Sequence, residues 1–166
     1  MTTETAESIA VGLAEIRVSR SAADVLVAYG LGSCVAVCAY DPGSKVAGMA
    51  HVMLPQGECR EDNGSAGKYA NTAIPALLDC LAKAGAERHR LVVKIVGGAQ
   101  MLPGLELGNT FNIGARNAEA VRSSLVAAGI PIGAEDTGGN YGRTVHLHAG
   151  TGKTMVRTVG GTSKEI

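Results

Sequence analysis

The chain has 166 residues, with 15 Lys plus Arg against 15 Asp plus Glu, so it lacks the net charge that a nucleic-acid face or a polybasic membrane anchor needs. Aromatic residues make up only 3%, with no Trp and the single Phe111, which leaves base-stacking platforms and aromatic cages poorly supplied. There are 23 glycines, about twice the usual ~7% share, beside 46% hydrophobic residues; they read as turns and close backbone approaches around one domain's core.

Residues 1–10 are polar and carry neither a basic nor an apolar signal segment, so they read as a flexible tail. A single domain is expected over 11–160, with a second tail at 161–166. No stretch approaches ~18 apolar residues, which excludes a membrane-spanning helix and points to the cytoplasm, where thiols stay reduced. Residues 13–19 and 24–29 read as strands, and 35–40 and 46–53 as a hairpin about the turn cluster Asp41-Pro42-Gly43-Ser44. Residues 57–67 form a polar loop. Ala70, Ile74, Leu77, Leu78 and Leu81 recur at helical spacing, predicting a helix over 68–84, with Pro75 either kinking it or moving its start towards Ile74. A strand over 91–96 ends in Gly97-Gly98, and a second helix over 112–128 is closed by Gly129 and Pro131. Residues 144–147 and 154–159 read as a closing hairpin. The expected class is α+β, a layered sandwich with a mixed β-sheet and two main helices.

The first hairpin carries the chemistry. If Tyr40 pairs with Lys45, partners sum to 85, and Cys34 falls opposite His51. Opposed residues share a face, with Cβ atoms roughly 4.5 to 5.5 Å apart, so thiol and imidazole can meet. A thiol with a pKa near ~8.5 is mostly protonated at neutral pH, and an adjacent imidazole that takes its proton makes it a nucleophile. Gly30-Leu31-Gly32-Ser33 precedes Cys34. There Gly32 and Ser33 shape the backbone, and N–H groups beside Cys34 can hold the oxyanion of an attacked carbonyl. The competing reading makes Cys34 a small buried hydrophobe and His51 an unrelated histidine.

At these residues the sequence resembles a known family. Gly30-Leu31-Gly32-Ser33-Cys34-Val35 followed by Gly48-Met49-Ala50-His51-Val52-Met53-Leu54-Pro55 is similar to the signature of the chemoreceptor glutamine deamidases, the CheD family of bacterial chemotaxis. Lys68-Tyr69-Ala70 with Ile74-Pro75, Lys94-Ile95-Val96-Gly97-Gly98-Ala99 with Met101, Ile113-Gly114-Ala115-Arg116-Asn117, and Gly138-Gly139 with Gly142-Arg143 and Thr151-Gly152 follow in the family's order. The resemblance spans about residues 13–159 and implies an enzyme that converts glutamine side chains of methyl-accepting chemotaxis receptors to glutamate. It also implies a CheC-type phosphatase as partner, Cys34 as nucleophile, His51 as base and then acid, and no cofactor. One position departs: the family's Thr six residues before the cysteine, which helps orient the histidine, is Ala28 here. A backbone carbonyl or another polar group, Ser33 or Gln56 among them, then has to serve. Otherwise the protein is a catalytically weak adaptor that regulates chemotaxis signalling by occupancy.

Other patterns carry less. Gly150-Thr151-Gly152-Lys153-Thr154 lacks the first phosphate-loop glycine, that position being Leu147, and reads as a hairpin turn. His146 and His148 share a strand face, but the cysteine spacing is not that of a zinc knuckle, and no metal site is expected. Gly30-x-Gly32 lacks the third dinucleotide-loop glycine, being followed by Val35. Cys38 and Cys80 are expected to pack, and Cys59 to be exposed.

Overall fold

The computed structural model describes residues 7–59, 66–101 and 112–166; Met1 to Ala6, most of the 57–67 loop and Phe111 lie outside them. Among the described residues the strands are β1 (Glu7–Ala10), β2 (Ile16–Ser19), β3 (Asp24–Leu31), β4 (Val35–Asp41), β5 (Val46–Val52), β6 (Val92–Gly97), β7 (Ile132–Thr137), β8 (Arg143–His148), β9 (Thr154–Thr158) and β10 (Ser163–Glu165). The helices are α1 (Ala70–Lys83), which runs through Pro75, and α2 (Ile113–Ala127). The class is α+β, as expected. Two mixed five-stranded sheets take the place of one, in the orders β1-β3-β8-β9-β10 and β2-β5-β4-β6-β7.

Alternation along β4 and β5 builds the layers. Val35, Val37 and Ala39 face a core with Val46, Ala50 and Val52, into which α1 sends Ile74, Leu77 and Leu81, and α2 sends Val121 and Leu125. Position 48 alternates onto this face and is held by glycine, since a Cβ there would stand 2.8 Å from Leu81 Cδ2. Ala36, Cys38, Tyr40, Ala47 and Met49 face the other way, onto Leu26, Ala28, Leu31, Val145, Leu147 and Val156 of the first sheet. Both faces of β4 and β5 are therefore buried, which explains their continuous apolar runs.

The structure differs from the sequence reading elsewhere too. The supposed tails contribute strands: β1 pairs parallel with β3, Glu7 opposite Asp24, and β10 pairs antiparallel with β9, Ser163 opposite Arg157. Their backbones complete ladders although their side chains are too polar to advertise it. β7 went unpredicted because IGAEDT, half-exposed at the sheet edge, has little apolar alternation. In the first hairpin, Asp41 pairs with Val46 and Ala36, not Cys34, pairs with His51. Partners thus sum to 87. Asp41 prolongs β4 because its fully buried carboxylate accepts from the backbone of Gly43 and Glu87 and from Ser44, and pairs with both ends of the Arg90 guanidinium. The loop becomes Pro42 to Lys45, closed by Lys45 N–H on Asp41 C=O at 2.8 Å. A two-residue slip, unlike a slip of one, leaves every side chain on its predicted face.

Candidate active site

Cys34 sits one residue before β4, where the ladder ends. Its side chain is half-buried and packs against the inter-sheet core, on the face that carries His51. The two are diagonal rather than directly opposed, a separation of roughly 7 to 8 Å that a long side chain or a ring can span. Burial pushes the Cys34 thiol above its ordinary pKa, so in the free protein it is held neutral and needs a base to react.

His51 is 4% exposed, and the chain that crosses from the first sheet to the second encloses it. Its backbone N–H donates to Glu15 C=O and its C=O accepts from Ala14 N–H, both at 3.0 Å. The ring Nδ1 lies 2.9 Å from the Val11 carbonyl oxygen. A carbonyl only accepts, so Nδ1 carries a proton; in the neutral ring the lone pair is then on Nε2, the tautomer a general base needs. Val11 C=O is itself fixed, because Val11 N–H donates to Val27 C=O at 2.8 Å. Of the substitutes considered for the missing Thr, a backbone carbonyl holds the ring. Ala28 is fully buried on β3 in the inter-sheet layer, without a hydroxyl to offer.

The loop before the thiol is held by its carbonyls. Gly32 C=O accepts from Ala99 N–H, Ser33 C=O from the Asn117 side chain and Cys34 C=O from Gly98 N–H, each at 2.9 Å. Gly97 has φ +121°, and a Cβ there would stand 2.2 Å from Cys34 O, so only glycine lets β6 come this close. The glycine pair is braced from behind: Gly138 N–H donates to Gly97 C=O at 3.0 Å, and Arg143, 1% exposed, reaches Gly138 C=O at 2.7 Å and Asp136 at 3.3 Å. The scattered glycine motifs thus meet behind Cys34. Val11 had no functional signal in the sequence, since it acts through backbone, and Asn117 was named only within the Ile113-Gly114-Ala115-Arg116-Asn117 motif, with no role of its own.

Elsewhere, Cys38 is 1% exposed in the inter-sheet core, where burial pushes its thiol up to about 12. Cys59 is exposed as expected, and Cys80, expected to pack, is exposed too, on the outer face of α1. His146 and His148 share the outward face of the first sheet, where His146 meets Tyr29 edge-on at 6.5 Å between ring centres, and the Gly150 to Lys153 segment turns β8 into β9.

A family model described as CheD chemotactic sensory transduction matches residues 53–158. The chain belongs to the CheD family. Similar CheD proteins include the probable chemoreceptor glutamine deamidase of Caldanaerobacter subterraneus, 45% identical over 90% of this chain and 92% of that one. The chemoreceptor glutamine deamidase of Thermotoga maritima is 49% identical over 91% and 92%, and the probable deamidase of Symbiobacterium thermophilum 46% over 95% and 96%. Among solved structures, the Bacillus licheniformis hypothetical protein YfiH aligns with TM-score 0.47 and 15% identity, over 80% of this chain and 60% of that chain. No helix among the described residues is long and apolar enough to cross a membrane.

Proposed function

We propose that this CheD protein deamidates glutamine side chains of methyl-accepting chemotaxis receptors in the cytoplasm, with Cys34 as nucleophile and His51 as base and acid. The observation that carries the reading is the contact of His51 Nδ1 with Val11 C=O, which in the neutral ring places the lone pair on Nε2, on the layer that holds a half-buried thiol kept protonated by burial. His51 takes the thiol proton as sulfur attacks the amide carbon, and the C=O electrons move onto oxygen. The Cys34 N–H, next to Gly32 and Ser33, holds that oxyanion. Collapse breaks the C–N bond, His51 returns the proton, and ammonia leaves a thioester. Water, deprotonated by His51, hydrolyses it to glutamate and regenerates the thiol; amide and water go in, carboxylate and ammonium come out.

The same reading takes a CheC-type phosphatase as protein partner. The main support for an adaptor was the want of a group to orient His51, and Val11 C=O meets that want. Incubation with a receptor cytoplasmic fragment is expected to release ammonia and raise the fragment's mass by about 1 Da per site, as amide hydrolysis requires. Cys34→Ala is expected to bind the fragment without converting it; equal conversion by wild type and variant would remove Cys34 from the mechanism.

A further inference from the structure

Asn117 lies in the second turn of α2, fully buried, and its side-chain amide faces two backbone carbonyls, Ser33 O and Met53 O, each 2.9 Å from Nδ2. Both acceptors need an N–H, which assigns the amide: Nδ2 faces them, and Oδ1 is left buried without a hydrogen-bond partner among the described residues.

Ser33 is the residue before Cys34, and Met53 lies two after His51. The peptide bond between Ser33 and Cys34 is trans, so its C=O and N–H point in opposite directions. Whatever fixes the Ser33 carbonyl fixes the direction of the Cys34 N–H. A hydrogen bond received by that carbonyl also polarises the peptide and makes its N–H a stronger donor. We infer that Asn117 is a positioning residue that aims the Cys34 N–H at the oxyanion, through the Ser33 peptide, while its second N–H ties this loop to the end of the strand that carries His51. The inference rests on the Cys34 and His51 reading above. Among side chains of this size only Asn presents two N–H donors from one atom. Asp offers none when ionised, and Ser at most one from a shorter reach.

The test is Asn117→Asp in the full-length protein, assayed on a receptor cytoplasmic fragment, with Cys34→Ala alongside. The expected result is a kcat lower by roughly 10- to 100-fold at little-changed KM, because an aimed donor acts on charge present only in the transition state. Alkylation by iodoacetamide, followed at the Cys34 peptide by mass spectrometry, is a displacement at saturated carbon that forms no oxyanion. Its rate should stay within about threefold of wild type, the scatter allowed for context. The loss should shrink towards acid pH, where the introduced carboxyl is protonated and recovers one donor to a carbonyl. If Asn117→Asp does not fold, Asn117→Ser is read by the same kcat, KM and alkylation numbers. An unchanged kcat, or alkylation falling in step with kcat, overturns the inference. A Cys34→Ala variant that still turns over would instead overturn the underlying reading, whatever Asn117 does.

Discussion

Cys34 and Cys38 stand four residues apart beside one strand and pack into the same inter-sheet layer, yet their surroundings differ. In the middle of β4, Cys38 is locked between Met49 on β5 and Lys94 on β6, and burial pushes its thiol to about 12. At the end of β4 the ladder stops, Cys34 is half-exposed, and donors from Gly98, Ala99 and Asn117 replace strand partners on the loop carbonyls. The difference is one of backbone: where the ladder ends, N–H groups are released from pairing and can serve a reacting carbonyl. A cysteine's place along its strand, more than its residue type, separates the packing group from the proposed nucleophile.

The sharpest way to break this contrast is to delete each thiol. Cys34→Ala should lower turnover by about 1,000-fold or more, as loss of an activated nucleophile does. Cys38→Ala should keep turnover and lose only about 1 kcal/mol of stability in denaturant melts; equal losses of activity would erase the distinction. At the opposite end of β4, Asp41→Asn should cost roughly 3 kcal/mol, because Arg90 and two backbone N–H groups lose a buried carboxylate, while kcat stays near wild type. The Arg90 guanidinium, first among the causes, holds the Asp41 carboxyl well below the usual carboxylate range. A lowered pKa stabilises the fold above the unfolded value of ~3.9, so the advantage of wild type over Asp41→Asn should shrink as pH falls below about 4. An advantage that stays constant between about pH 4 and about pH 2, instead of declining steadily, would locate the effect in packing.

A smaller effect concerns pH and the two thiols. Because burial raises Cys34, its alkylation in the free protein should climb with pH beyond the ordinary thiol range near ~8.5, while the Cys38 peptide stays unmodified. A plateau by pH 6 would reveal a thiolate and imidazolium already formed before substrate arrives. Smallest of all, Ala28→Thr should change kcat by less than about twofold, since Val11 C=O already fixes the ring. A tenfold gain would show that the carbonyl is an inadequate substitute.

Periodicity revealed much of this fold. Both helices, the β4 and β5 hairpin and the β8 and β9 hairpin follow from apolar spacing and turn residues, and the shared face of Cys34 and His51 survived a misjudged register because the slip was even. β1, β7 and β10 stayed hidden, since edge strands with polar or half-exposed side chains contribute backbone rather than pattern. Site legibility divides the same way. Cys34 and His51 are visible as side chains, whereas Val11 C=O, Gly98 N–H and Ala99 N–H are groups that every non-proline residue owns. Asn117 was visible as a motif residue but without a role, because the role inferred for it depends on two carbonyls, one 84 and one 64 residues away.

The crossing chain from Val11 to Glu15 grips His51 at three points, and every group it lends is backbone. What this grip demands of a sequence is therefore length first: Val11 has to stay one residue beyond β1 and Glu15 one residue before β2, while side chains are constrained separately at Val11, which is buried in the core, and at Ala14, whose φ is +64°. A single insertion or deletion, harmless in most surface connections, would move the carbonyl off the imidazole and leave the histidine present but unaimed. In this chain the spacing between β1 and β2, rather than the side chain at position 28, sets the aim of His51.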